Sequence, residues 1–241
     1  PDGFLAVWAV SIDTKIYLTA MRLDTLGNPR QNPVMFDGFF IDKFFAPSIA
    51  VGEEVAVIVF SMERQSDISA LIWPHEDDEP SSTLISINEP NVSSKGAVIS
   101  SGNDGFLVAW SGLKDGYEKI FVRTIDKTGK IKGEPQRITW TPRDAKYPSI
   151  AFNGDSYAIA WIGVANNGDN PCAVPDWCKE QVFITPVDKN GQVTGNAVML
   201  TNDPNPSSKV ILFWDGFGWT AEYLTWRTYR EQLFYSQIIC E

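Results

Sequence analysis

The chain reads as an all-β protein, a β-propeller of about five visible four-stranded blades, the first and last of them incomplete. Three observations predict this. Similar segments return at an interval of 51 residues. Each unit holds short runs rich in Val, Ile, Thr and aromatic residues, bounded by Gly, Asn, Asp or Pro, as strands and tight turns require. Nowhere do apolar residues keep helical spacing for three turns.

The repeat can be traced residue by residue. Segments GFLAVW, EVAVIVF, GFLVAW and SYAIAW place Phe4, Val55, Phe106 and Tyr157 51 residues apart. The same interval joins Trp8, Val59, Trp110 and Trp161, and also Asp2, Glu53, Asp104 and Asp155. The turns DTLG, DKTG and DKNG begin at Asp24, Asp126 and Asp188; an 11-residue insertion carrying two cysteines lengthens the last interval to 62. A weaker fifth copy puts Gly216 and Trp219 62 residues beyond Gly154 and Tyr157. In the clearest copy the strands are PSIAF (148–152), SYAIAWIG (156–163), QVFITPVD (181–188) and AVMLT (197–201). NGD (153–155) and DKNG (188–191) supply tight turns between them. A period of about 40–50 residues with four strands belongs to a propeller, whereas tandem sandwich domains run to about 100.

The pattern PSIAFNGDSYAIAWIG (148–163), followed by a strand and D-x-x-G, resembles repeats of secreted bacterial β-propeller proteins, mostly of unknown role. The resemblance rests on turn and core residues, so it implies a fold and no chemistry. The Gly-His to Trp-Asp signature, the paired glycines of kelch repeats and the sialidase-type Ser-x-Asp-x-Gly-x-Thr-Trp turn are absent.

Residues 1–241 are expected to form one propeller domain, part of a longer propeller or a larger protein. Residue 1 enters at a second strand and the chain stops after a third, EQLFYSQIIC. Two explanations fit: a five-bladed ring with thin blades at its seam, or an internal piece of a larger propeller. Open strand edges there favour pairing with a neighbour, either a protein partner or a missing segment at the chain ends.

Composition narrows the function. With 20 Lys+Arg against 30 Asp+Glu the formal charge is −10, and so acidic a surface repels a phosphate backbone; no nucleic-acid partner is expected. No apolar run reaches the ~18 residues needed to span a bilayer. Cys172 and Cys178, close together in PCAVPDWC, lack the further ligands of a zinc site. They read as a local disulfide, which places the protein in an oxidising, secreted or cell-surface setting. Closing so short a loop is worth about 2 kcal/mol. Cys240 has no assigned role.

Strands that run alternately up and down sort the loops onto two faces. One carries the uniform turns. The other carries the irregular loops FDGFFIDKFFAP (36–47), SGLKDGYEK (111–119), WTPRDAKYP (140–148) and GVANNGDNPCAVPDWCKE (163–180). Irregular loops are where binding resides, so the candidates are Trp140, Trp177, Tyr117, Tyr229, Phe39 and Phe40, with Arg143 and Asp176 as polar company. Trp8, Trp110 and Trp161 recur in a strand and read as blade core. The Asp-rich stretches lack the twelve-residue loop ending in a bidentate Glu of an EF-hand, and turn chemistry accounts for them; no metal or cofactor is expected. The single histidine, His75, has no nucleophile elbow near it and reads as an exposed loop residue. Two function classes follow. One is a non-catalytic extracellular binding or assembly module that presents loop aromatics to a glycan or protein. The alternative is a carbohydrate-active hydrolase or lyase with carboxylates in the central channel.

Overall fold

In the computed structural model of the chain, residues 3–62, 67–77, 84–89, 92–164, 180–202, 205–227 and 230–239 are described, with 37–40, 227 and 239 as backbone only. Among these none is helical, and no helix is long and apolar enough to cross a membrane. Among the described residues eighteen strands form five antiparallel meanders. Blade I is β1 (Phe4–Ile12), β2 (Lys15–Leu23) and β3 (Val34–Phe40). Blade II is β4 (Ser48–Val51), β5 (Val55–Ser61), β6 (Ile68–Pro74) and β7 (Ile85–Ser86). Blade III is β8 (Ser94–Gly102), β9 (Gly105–Lys114), β10 (Tyr117–Asp126) and β11 (Ile131–Arg137). Blade IV is β12 (Ala145–Phe152), β13 (Tyr157–Val164), β14 (Glu180–Val187) and β15 (Val198–Met199). Blade V is β16 (Ser207–Trp214), β17 (Gly218–Arg227) and β18 (Arg230–Ile239). This is the all-β propeller architecture that the repeat predicts, with three strands in each end blade. The disulfide expected between Cys172 and Cys178 lies outside the described residues, as does Cys240.

Alternation along each strand sends successive side chains to opposite faces, and each face is buried against a different neighbour. Phe106, Val108 and Trp110 of β9 face blade II, while Leu107 and Ala109 face blade IV. Tyr157, Ile159 and Trp161 of β13 look back to blade III, while Ala158, Ala160 and Ile162 look on to blade V. Trp110 stacks on Phe121 and Trp161 on Phe183, with ring centroids 6.0 and 5.9 Å apart, so these tryptophans are blade core as expected. Trp8 is only half-buried, and among the described residues no buried cluster joins another blade to that face of blade I.

Blade II departs from the 51-residue register. Val55, Val57 and Val59 face blade III, and it is Ala56, Ile58 and Phe60 that look back to blade I. Phe60, not Val59, therefore takes the place of Trp110. A one-residue slip exchanges the two faces of a strand, and β5 is apolar and buried at every position before Ser61. Its sequence carries no alternation from which the slip could be read.

The turns use the chemistry expected of them. Asp24, Asp126 and Asp188 each accept backbone N–H groups from two and four residues ahead, at 2.8–3.0 Å. Asn153 and Asp215, in the first hairpin of blades IV and V, accept instead from two and three residues ahead. The acids two places later in that hairpin have another task. Asp104 reaches Lys189 of the next blade at 2.7 Å, and Glu54 reaches Lys127 at 3.1 Å. His75 is also more engaged than an exposed loop residue: it is half-buried, with Nε2 2.9 Å from the Gly52 carbonyl.

Serines clasp one blade to the next. The N–H of Ile99 donates to Ser48 Oγ (3.3 Å) and that of Leu212 to Ser149 Oγ (2.9 Å). Closer to the irregular loops, Gly96 N–H donates to Ser61 Oγ (2.9 Å) and Tyr147 N–H to Ser111 Oγ (3.1 Å). Gly96 and Tyr147 occupy matching bulges in β8 and β12, both with left-handed φ, 66° and 55°.

Two outcomes are expected. Trp110→Ala removes a ring buried between two blades and lowers stability by about 3–5 kcal/mol, read by urea denaturation. Partial burial pushes the Asp126 carboxyl up, but hydrogen bonds from Thr128, the Lys130 N–H and Lys132 outweigh this and hold it at about 2. A carboxyl depressed in the fold stabilises above its unfolded value and loses that contribution as pH falls towards 2. Between pH 5 and 2, Asp126→Asn should therefore lose less stability than the parent chain.

Candidate functional site

On the irregular face, blade III exposes two of the aromatics singled out in the sequence, Trp140 and Tyr117. Trp140 follows β11 and is 72% exposed. Its ring is not loose: the Arg137 guanidinium lies over it, 4.6 Å from the ring centroid. Arg137 is in turn held by the Thr139 carbonyl, which accepts from Nε at 2.7 Å, and by Asp115 Oδ2 at 2.8 Å. A cation stacked on an indole and fixed from behind gives a flat, oriented apolar platform.

Beneath it lies a buried lysine. Lys119 of β10 donates Nζ to the carbonyls of Thr141 (2.6 Å) and Arg143 (2.5 Å). The same ammonium lies 4.9 Å from the Tyr117 ring, so one cation fastens the loop after Trp140 to the strand that carries Tyr117. Burial depresses the Lys119 pKa, and Arg137 adds to this, against Asp144 and Asp115. Asp144 secures the loop's far end by accepting the Glu118 N–H at 2.9 Å.

The inner edge of this face lies where the first strands of successive blades, β4, β8, β12 and β16, come together. Gly96 and Tyr147 hold the same repeat position in blades III and IV, and Phe45 comes from the approach to β4 in blade II. Phe45 lies across Gly96 and meets Tyr147, with centroids 6.2 Å apart. Lys146 pairs with Glu180 at 2.6 Å and Lys95 with Glu118. The innermost strands carry no acid: SIAV, SKGAVISSG, AKYPSIAF and SSKVILFW. Among the described residues, Glu118 and Glu180 are tied to this edge by those lysines, Asp144 accepts the Glu118 N–H, and Asp42 lies in the loop before β4. Among the described residues no group of three or more His, Cys, Asp or Glu is arranged to hold a metal.

Of the residues singled out in the sequence, Trp140, Tyr117 and Arg143 fall together here. Arg143 contributes its carbonyl to Lys119. Phe39 and Phe40 lie in β3, where Phe40 pairs with Tyr17, but their side chains are not described. Trp177, Asp176 and Tyr229 lie outside the described residues. Sequence reasoning missed Lys119, Arg137, Asp115 and the Phe45–Tyr147 contact. The repeat held a signal for the first: the positions matching Lys119 and Thr139 in blade IV are Gln181 and Thr201, a neutral buried pair 2.7 Å apart. A lysine in place of that glutamine marks a site where blade III does something its neighbour does not.

No family model matches the chain, and no curated protein does. Solved structures match in fold. An exo-1,5-alpha-L-arabinanase from a bovine ruminal metagenomic library has a TM-score of 0.51 at 15% identity, covering 98% of this chain and 93% of that one. Synechocystis apocarotenoid oxygenase has 0.55 at 13%, covering 96% and 55%. A Mycobacterium tuberculosis puromycin-hydrolyzing peptidase has 0.52 at 11%, covering 98% and 38%. Such identities show the architecture alone, and the three differ in activity, as propellers do.

Lys119→Met keeps the apolar stem but leaves the Thr141 and Arg143 carbonyls without their donor. Stability should fall by about 1–3 kcal/mol, read by chemical denaturation. The indole fluorescence of Trp140 should become more easily quenched as its loop loosens.

Proposed function

We propose that residues 1–241 form a single carbohydrate-directed propeller domain of a secreted or cell-surface protein, which holds a glycan on its irregular face without altering it. One observation carries this reading: Trp140, exposed and held flat by Arg137, with Tyr117 tied to the same loop through Lys119. The apolar face of a sugar ring stacks on such a platform, and its hydroxyls find fixed partners in Arg137 and Asp115. A protein ligand would use the same aromatics as anchors.

A second reading, hydrolysis of a polysaccharide, is favoured by the likeness in fold to the arabinanase, which runs nearly the full length of both chains. It needs a general acid and a second carboxylate on either side of a glycosidic bond. Here those would be drawn from Asp42, Asp144, Glu118 and Glu180 on the irregular side. Glu118 and Glu180 are ion-paired and Asp144 accepts a backbone N–H, which suits positioning better than proton transfer.

Linear α-1,5-arabinan is the first ligand to test, together with a glycan array. Trp140→Ala should weaken binding at least tenfold, read by calorimetry, while stability stays within about 0.5 kcal/mol because the side chain is exposed. Unchanged binding in Trp140→Ala, with release of sugars that Asp144→Asn abolishes, would overturn the binding reading in favour of hydrolysis.

A further inference from the structure

The four interfaces between successive blades follow one rule, and its two uncovered ends match each other. At the interface of blades IV and V, Ala151 of β12 and Val182 and Ile184 of β14 face forward and are buried, the last two to 0% and 6% exposure. The ladder registers place Phe213, Leu233 and Tyr235 at the matching points of blade V. There Leu233 is 66% and Tyr235 76% exposed, and Ile211 and Trp226 lie open on the same face. A sheet face with this many large apolar side chains is an interaction surface.

The backward face has an equally regular pattern. In blades III and IV it is filled by Phe106 and Trp110, then Tyr157 and Trp161, all buried against the preceding blade. In blade I the same places hold Phe4 and Trp8, and Phe4 is 61% exposed. Ladder pairs put Leu23, Met21 and Thr19 beside Phe4, Ala6 and Trp8, and Met35 beside Thr19. Blade I thus presents the set of side chains that a forward face receives elsewhere in the molecule. Among the described residues each buried cluster joins neighbouring blades, and none joins blade V to blade I.

We propose that the forward face of blade V receives the backward face of blade I from a second copy of this chain. The contact continues the interface already built four times within the chain. It is heterologous, head to tail, so two different surfaces meet and each copy retains one of each. It is independent of any ligand on the irregular face.

The mass of the chain in solution tests it, by light scattering or sedimentation over a wide concentration range. The unaltered chain should rise from 26.9 kDa to at least twice that mass with concentration. Leu233→Glu with Tyr235→Glu spoils only the forward face, and Phe4→Glu with Met35→Glu only the backward one. Each double variant alone should stay at the mass of one chain. An equimolar mixture should give a species of two chains and nothing larger, because each supplies the face the other lacks. An unaltered chain that stays at one-chain mass throughout would overturn the proposal. So would a backward-face variant that still self-associates, since blade V would then be pairing with itself. Thermal melts check that the variants fold; if a double variant melts early, Tyr235→Lys and Phe4→Lys singly replace it and the same outcomes decide.

Discussion

Every blade of this molecule has two apolar faces, and neither can be left in water without cost. At about 1.5–3 kcal/mol for each fully buried large side chain, a blade packed on both sides gains far more than its own hydrogen bonds supply. Stability in such an array is a sum over neighbours. Blades II, III and IV, covered on both sides, hold nearly all the deeply buried residues, from Val57 and Trp73 to Trp161 and Ile162. The irregular face is borne on the most thoroughly packed part of the structure, so its loops can be long without endangering the fold.

Much of this architecture was legible in the sequence because turn chemistry and strand composition recur together. Asp24, Asp126 and Asp188 announce their turns, and the hairpin after Phe152 was placed to within a residue or two. What could not be read was the facing of β5. A strand written VAVIVFS satisfies either face equally, and only packing against two different neighbours decides which residues go where. The ion pairs between blades, Asp104 with Lys189 and Glu54 with Lys127, escaped for a related reason. They join residues remote in sequence whose proximity is a product of the completed array.

The candidate site was half legible. An exposed tryptophan in an irregular loop can be picked out by its position between repeats, and Trp140 was. What orients it cannot, because Arg137 and Lys119 act through backbone carbonyls and ring faces, and Asp115 through a guanidinium 22 residues away in sequence. A buried ammonium is tolerable only where its donors are matched, and Lys119 meets that condition with two carbonyls and the Tyr117 ring. The loop after Trp140 is therefore shaped by a charge in the core beneath it as well as by its own turn residues.

The inner edge of the irregular face is shaped around the bulge at Gly96. Phe45 and Tyr147 lean towards each other over Gly96, where a β-carbon would come within 3.0 Å of the Phe45 ring. Blades II and IV each bring a ring to this place, and the glycine of the blade between them leaves room for both. Gly96 and Tyr147 sit in bulges, outside the regular ladder, and a serine of the preceding blade takes the N–H of each. One bulge carries a glycine and the other a tyrosine, yet both are clasped in the same way. What covers this edge can therefore differ from blade to blade while the strands that hold it stay alike.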